Sequence, residues 1–175
     1  MASVFGHSIA ALTIGRSAFN KFFDWKLGLL AAACACAPDL DVVGFLFGIK
    51  YLSQWGHRGF THSLVFAAGF GWLVAYVFYK KSVYFRQIAA FISLSVASHP
   101  LLDMLTDGGR GVAIFWPVTS ERFFFPWRPI KVSPLHPSDF HGEWMISVLQ
   151  SELVWIGLPC VLVLVFKWAA DRFLN

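Results

Sequence analysis

The sequence predicts an all-α fold, a polytopic bundle of about five membrane-spanning helices carrying one long extracytoplasmic loop segment. Three observations carry this. Of 175 residues, 57% are hydrophobic, 18% aromatic and only 14% charged, with mean hydropathy +0.61, too apolar for a soluble domain of this size. Apolar runs alternate with short turns that hold the Lys and Arg residues. The net charge of +4 therefore reads as orientation in a bilayer and argues against a nucleic-acid partner. There is no internal repeat, low-complexity tract, linker or phosphate-cradling glycine loop, so residues 1–175 form a single integral membrane domain.

Taken in order, Ala2 to Gly15 is a short apolar segment containing His7. It has neither a positive n-region nor a clear cleavage site, so it is expected to be retained. Arg16, Lys21 and Lys26 among Phe19, Phe22, Phe23 and Trp25 suit a stretch at headgroup level. The chain is then apolar from Leu27 to Ala37, breaks at P-D-L-D (Pro38 to Asp41) and resumes to Gly48. Two aspartates beside a proline must face protein or water. After H-R-G-F-T-H-S, a helix beginning near Phe60 carries His62 in its first turn and continues through the apolar run Leu64 to Tyr79. A basic turn at 80–86 precedes a helix over about 87–106, and 107–150 is the loop segment, rich in Pro, Gly, Trp and Phe. A last apolar run spans Leu153 to Trp168, with Pro159 a candidate kink. Cys34, Cys36 and Cys160 read as small buried residues, because the C-x-C pair lacks the partner pair of a zinc ribbon.

Placing Arg16, Lys21, Lys26, Lys80, Lys81, Arg86, Lys167 and Arg172 in the cytoplasm puts the N-terminus outside. His7, P-D-L-D, H-R-G-F-T-H-S and the outer half of the 87–106 helix then meet at one extracytoplasmic level. The pivotal stretch is S-H-P-L-L-D-M-L-T-D-G at 98–108, where His99 and Asp103 share a helix face, with Thr106 and Asp107 one turn on. A mid-bilayer Asp costs about 2.5 to 3.5 kcal/mol on the translocon scale, so such a carboxylate pairs, lines a wet cavity or binds a cation.

Asp39 or Asp41, His57 or His62, His99 and Asp103 furnish one metal site, with His7 near enough in topology to serve a second. Zinc fits imidazole and carboxylate ligands, while the oxygen-rich set also suits manganese or magnesium. The competing reading is structural: a His–Asp hydrogen bond between helices, Arg58 paired with Asp39 or Asp41 as a buried ion pair, and His7 as a hydrogen-bonded bundle residue. His136, Asp139, His141 and Glu143 form a polar loop cluster that is a weaker source of ligands. From Phe115 to Ile130, aromatic rings interleaved with Arg122 and Arg128 suit a loop resting on lipid headgroups.

G-H at 6–7, P-D-L-D at 38–41, G-H-R-G-F-T-H-S at 56–63 and S-H-P-L-L-D-M-L-T-D-G-G at 98–109, followed by F-W-P and E-R-F-F-F-P, together resemble the YdjM-type family of inner-membrane, metal-dependent hydrolases. The resemblance covers His7 to about Pro126. It implies a bacterial inner-membrane location and assigns His7, Asp39, Asp41, His57, Arg58, His62, His99 and Asp103 to the motif positions on which the hydrolase designation rests. The ligand order is also similar, more distantly, to that of zinc-dependent phospholipase C and P1 nuclease, although those enzymes have further ligands late in the chain.

The expectation that follows is a metal-dependent hydrolase acting on a phosphoester of a membrane lipid. Arg58 would stabilise developing charge, and Asp41 or Asp107 would act as general base. The alternative is a non-catalytic protein that binds or transports a metal.

Overall fold

Small side chains and local caps decide where the helices stop and how closely they pack. The computed structural model describes residues 1–135 and 141–173. In chain order, α1 is Val4–Ala18, α2 is Trp25–Cys36, α3 is Leu64–Tyr79, α4 is Phe85–Met104, α5 is Gly142–Glu152 and α6 is Leu158–Phe173. Asp24 caps α2 by accepting from the Leu27 amide at 2.7 Å, and Ser63 caps α3 by accepting from that of Phe66 at 3.0 Å.

At P-D-L-D the helix does not break into a loop, as the sequence suggests. It rewinds into a 3-10 helix, Ala37–Phe47, and ends at Gly48 with φ 75°. Pro38 sits in the first turn of that helix, where its missing N–H leaves no bond unmade. Similarly, α5 passes through a π-helical turn, Leu153–Gly157, directly into α6.

The α3–α4 crossing shows why these residues choose each other. Ala67, Gly71 and Ala75 recur every four residues and are buried along one face of α3. A Cβ built on Gly71 would lie 2.5 Å from the Ser93 backbone nitrogen and 2.4 Å from its Oγ, so the two backbones approach as in small-xxx-small membrane pairs. Leu27, Ala31 and Cys34 from α2 join Ile88, Phe91, Ile92 and Val96 from α4 in the same buried cluster. On its other side, α1 packs against α2, α4 and α6.

Among the described residues, two rods are long and apolar enough to cross a bilayer by themselves, Trp25–Phe47 and Gly142–Phe173, fewer than the five segments expected. The 15 residues of α1 and 16 of α3 reach only about 22–24 Å at 1.5 Å per residue, short of a core of about 30 Å. With 20 residues α4 is long enough, but Arg86, Gln87, three serines, His99 and Asp103 dilute its apolarity. Large apolar side chains are nevertheless uncovered, including Trp72, Tyr76 and Phe78 on α3 and Leu162, Val165, Phe166 and Trp168 on α6. No residue of α6 is buried, which suits a helix solvated by lipid.

The segment after α4 folds back over the helix ends. Isolated bridges join Thr106 to Ile130 and Val112 to Phe123, Leu64 donates to Ile114 O, and Ala113 donates to Arg58 O. No strand forms among the described residues.

Gly71→Ala is expected to destabilise the protein by about 1–3 kcal/mol through overpacking against Ser93. Gly69→Ala, with nothing within 4 Å of the new methyl, should not. Thermal unfolding of the two variants in detergent makes the comparison.

Candidate metal centre

Three elements deliver four ligand atoms to one buried point. Asp39 comes from the 3-10 helix after α2, His62 from the short 3-10 turn Phe60–His62 ahead of α3, and His99 and Asp103 from one face of α4. His62 Nε2 and His99 Nε2 are 3.1 Å apart. Asp39 Oδ1 lies 3.5 Å from the first and 3.4 Å from the second, while Asp103 Oδ2 lies 3.6 and 3.9 Å from them. A metal held at about 2.0–2.1 Å by a tetrahedron of ligands implies edges of about 3.3–3.4 Å. The observed separations bracket that value.

The protons on the two imidazoles point the same way. His99 Nδ1 lies 2.7 Å from Ala35 O, and a carbonyl only accepts, so Nδ1 carries the hydrogen and Nε2 is bare. The Thr61 hydroxyl donates to Asp41 Oδ2 at 2.7 Å and stands 3.0 Å from His62 Nδ1, so this nitrogen donates to it and Nε2 is again bare. Two lone pairs facing each other at 3.1 Å call for a proton or a cation between them. Burial opposes charge on His62, but its bonds to Asp39 and Asp41 outweigh that and raise its pKa from 6.5 to about 9.

Orphaned polar atoms complete the fit. Asp39 Oδ1 is buried without a hydrogen-bond partner, as are both ring nitrogens of His7. The His7 ring stacks on His99 at 3.7 Å, and its Nε2 lies 3.6 Å from Asp103 Oδ1. Buried groups of this kind are costly unless something satisfies them. A divalent cation held by Asp39, His62, His99 and Asp103 would satisfy Asp39 Oδ1, while His7 stands at the edge of the set with Nε2 beside Asp103.

A second tier holds these ligands. The Ala2 amide donates to Asp103 Oδ1 at 2.8 Å, and Arg58 Nε donates to Oδ2 at 3.1 Å. The guanidinium is fully buried, and its remaining arms reach Gly108 O and Thr106 Oγ1, both at 2.9 Å. Arg58 is the single non-glycine residue with positive φ among the described residues, at 63°. Asp41 accepts from the Arg58 amide at 3.2 Å and meets His57 Nδ1 at 2.7 Å. Asp41, His57 and His62 thus form a second group able to hold an ion. Burial lowers the His57 pKa despite Asp41.

His7, Asp39, Asp41, His57, Arg58, His62, His99 and Asp103 are therefore gathered as the sequence suggests. Asp107 is not. The helix ends at Met104 rather than near 106, so Asp107 turns outward, accepts from the Val132 amide and pairs with Lys131 at 3.0 Å. His136 and Asp139 lie outside the described residues, and His141 and Glu143 are exposed.

Sequence reasoning missed Glu152 and Thr61. Glu152 is buried in the last helical rod and accepts from both the amide and the hydroxyl of Ser3, anchoring the strap that brings Ala2 to Asp103. The signal was available: a carboxylate beside a long apolar run needs a partner.

Glu152→Ala is expected to cost about 1–3 kcal/mol by leaving the buried Ser3 donors unmatched, with Glu152→Gln milder in the same thermal assay. The raised His62 pKa predicts a pH effect as well. Its proton stabilises the metal-free fold fully below about pH 6.5 and is lost as pH rises through about 9. Chelator-treated protein should therefore lose melting temperature over that window, and metal-loaded protein should not.

A family model described as "YdjM inner membrane protein" matches residues 1–174. Inner membrane protein YbcI of Escherichia coli (strain K12) is 38% identical over 176 residues, covering 98% of this chain and 100% of the relative. Inner membrane protein YdjM of the same organism is 35% identical over 104 residues, covering 54% of this chain and 51% of the relative. No solved structure matches. Both the extent of the family match and the full-length relative show that this chain belongs to the YdjM family of inner membrane proteins.

Proposed function

We propose that this inner membrane protein is a metal-dependent hydrolase that works at the extracytoplasmic face on a phosphoester of a lipid or lipid-linked substrate. The observation that carries the reading is the buried set of Asp39, His62, His99 and Asp103, whose partner Arg58 lines a cavity of about 280 Å³ together with His57. Two carboxylates among the ligands suit Zn2+ and also metals of higher coordination number such as Mn2+ or Mg2+, which leave room for water. When bound, the metal would lower the pKa of a water toward 7 and polarise the ester oxygen.

The chain's own groups supply the rest. His57 has Nδ1 tied to Asp41 and lines the cavity, so in this reading its other nitrogen moves the proton. Asp41 orients His57 and, through Thr61, His62. That makes it a positioning residue in place of the general base expected from sequence. Arg58, bound to Asp103, Thr106 and Gly108, holds the ligand in register. In the topology that serves this reading, about five segments cross the membrane with Lys80, Lys81 and Arg86 inside.

A second reading, a non-catalytic protein that binds or transports a metal, is favoured by the enclosure of the cage, since His62, His99 and Asp103 are fully buried. His99→Ala and Asp103→Ala should each abolish bound metal in elemental analysis of folded protein. Metal-dependent release of product from an added phospholipid extract, lost on chelation, is the expected result for the hydrolase. Metal flux into proteoliposomes without any product would replace it with the second reading.

A further inference from the structure

Two adjoining cavities make a trough whose walls differ in chemistry. The outer one, about 590 Å³, is lined by Lys50, Tyr51, Leu52, Gly109 and Arg110. No acidic residue is among them. The inner one, about 280 Å³, shares Tyr51 and Gly109 and extends to His57 and Arg58, with Val132, Pro134, Leu135 and Trp144 as an apolar wall. Gly109 is the saddle between them. Its φ is +91°, and a Cβ there would lie 2.4 Å from Arg58 Nη1 and 3.2 Å from the Tyr51 hydroxyl, so a side chain at this position would obstruct the passage as well as strain the backbone.

Cations at the mouth, an imidazole at the floor and apolar groups along one side are complementary to a molecule with the same order of parts. Lys50 and Arg110 are exposed and, unlike Arg58 and Arg122, form no hydrogen bond or ion pair with another described side chain. Arg122 is committed to the carbonyls of His57, Tyr51 and Ser53. At the floor, Ser133 Oγ is buried without a partner, and Ser133 is only 3% exposed.

We propose that this trough binds an anionic amphiphile: a lipid whose phosphate sits at the Gly109 saddle, between Lys50 and Arg110 on one side and His57 on the other, while its apolar chain lies along Trp144 and Leu135. The assignment rests on the lipid-hydrolase reading and narrows it to headgroups whose phosphate is not neutralised by a neighbouring ammonium. Free phosphate has the same anionic chemistry but nothing for the apolar wall.

Binding to the full metal-loaded chain in detergent, read by calorimetry without reference to turnover, tests this. Dihexanoyl phosphatidylglycerol is expected to bind about tenfold or more tighter than dihexanoyl phosphatidylcholine, with inorganic phosphate far weaker than either. Lys50→Ala combined with Arg110→Ala should erase the preference, weakening phosphatidylglycerol binding about tenfold more than phosphatidylcholine binding. Both positions are exposed, so the variant keeps its fold, and an unchanged melting temperature verifies it. Equal binding of the two lipids, a preference that survives the double substitution, or phosphate binding as tight as phosphatidylglycerol would each overturn the proposal. A protein that selects phosphatidylglycerol yet releases no product from any lipid would retain this site and lose the hydrolase reading. Hydrolysis indifferent to Lys50 and Arg110 would do the reverse.

Discussion

A carboxylate with no exposure to solvent, Asp103, sets the terms for everything around it. An unpaired charge at such a place is untenable, and a half-satisfied one is worse than an apolar residue. The protein answers with donors from distant parts of the chain: the Ala2 amide on one oxygen and Arg58 Nε on the other, with His7 nearby. Each of those groups is itself buried and has to be held in turn. Arg58 is held by Thr106 and Gly108, and the strap bearing Ala2 by Ser3 and Glu152. The polar interior is thus a chain of obligations that begins at one aspartate and reaches the final helical rod.

This explains why irregular backbone clusters at one end of the helices. The 3-10 rewinding after Cys36, the positive φ of Arg58 and the π turn after Glu152 each lie within one or two residues of a member of the polar network. Departures from regular helix are tolerated in an apolar setting where protein satisfies the freed groups. Here they also aim side chains. Residues two apart lie about 160° around an α-helix from each other but about 120° around a 3-10 helix, so the rewinding turns Asp39 and Asp41 closer to a common side. On the tighter helix, Asp39 faces the His62–His99 pair and Asp41 faces His57 and Thr61. The two aspartates therefore face different partners.

The apolar exterior and the polar interior are compatible because small residues let the helices close tightly between them. Ala67, Gly71 and Ala75 bring α3 against α4, and Gly15 makes room for Phe23 and Phe91. That closeness puts His62, just ahead of α3, within 3.1 Å of His99 on α4. The loop over the helix ends then seals the site from above while leaving the trough at Gly109 open.

Much of the centre was legible beforehand. Apolar runs located the helices, because burial or lipid contact demands them whatever the fold, and ionisable residues set in those runs marked the site, because they are too costly to place idly. His99 and Asp103 could be paired from helical spacing alone. Other features were decided only by tertiary structure. Asp107 left the cluster because α4 stops at Met104, and Glu152 joined it because α1 packs against the last rod. The partners of Arg58 and Asp41, Asp103 and His57, were decided in the same way. The physical reason is range: spacing along one helix determines which side chains share a face, whereas a partner 149 residues away, as Glu152 is from Ser3, is chosen by how the helices pack.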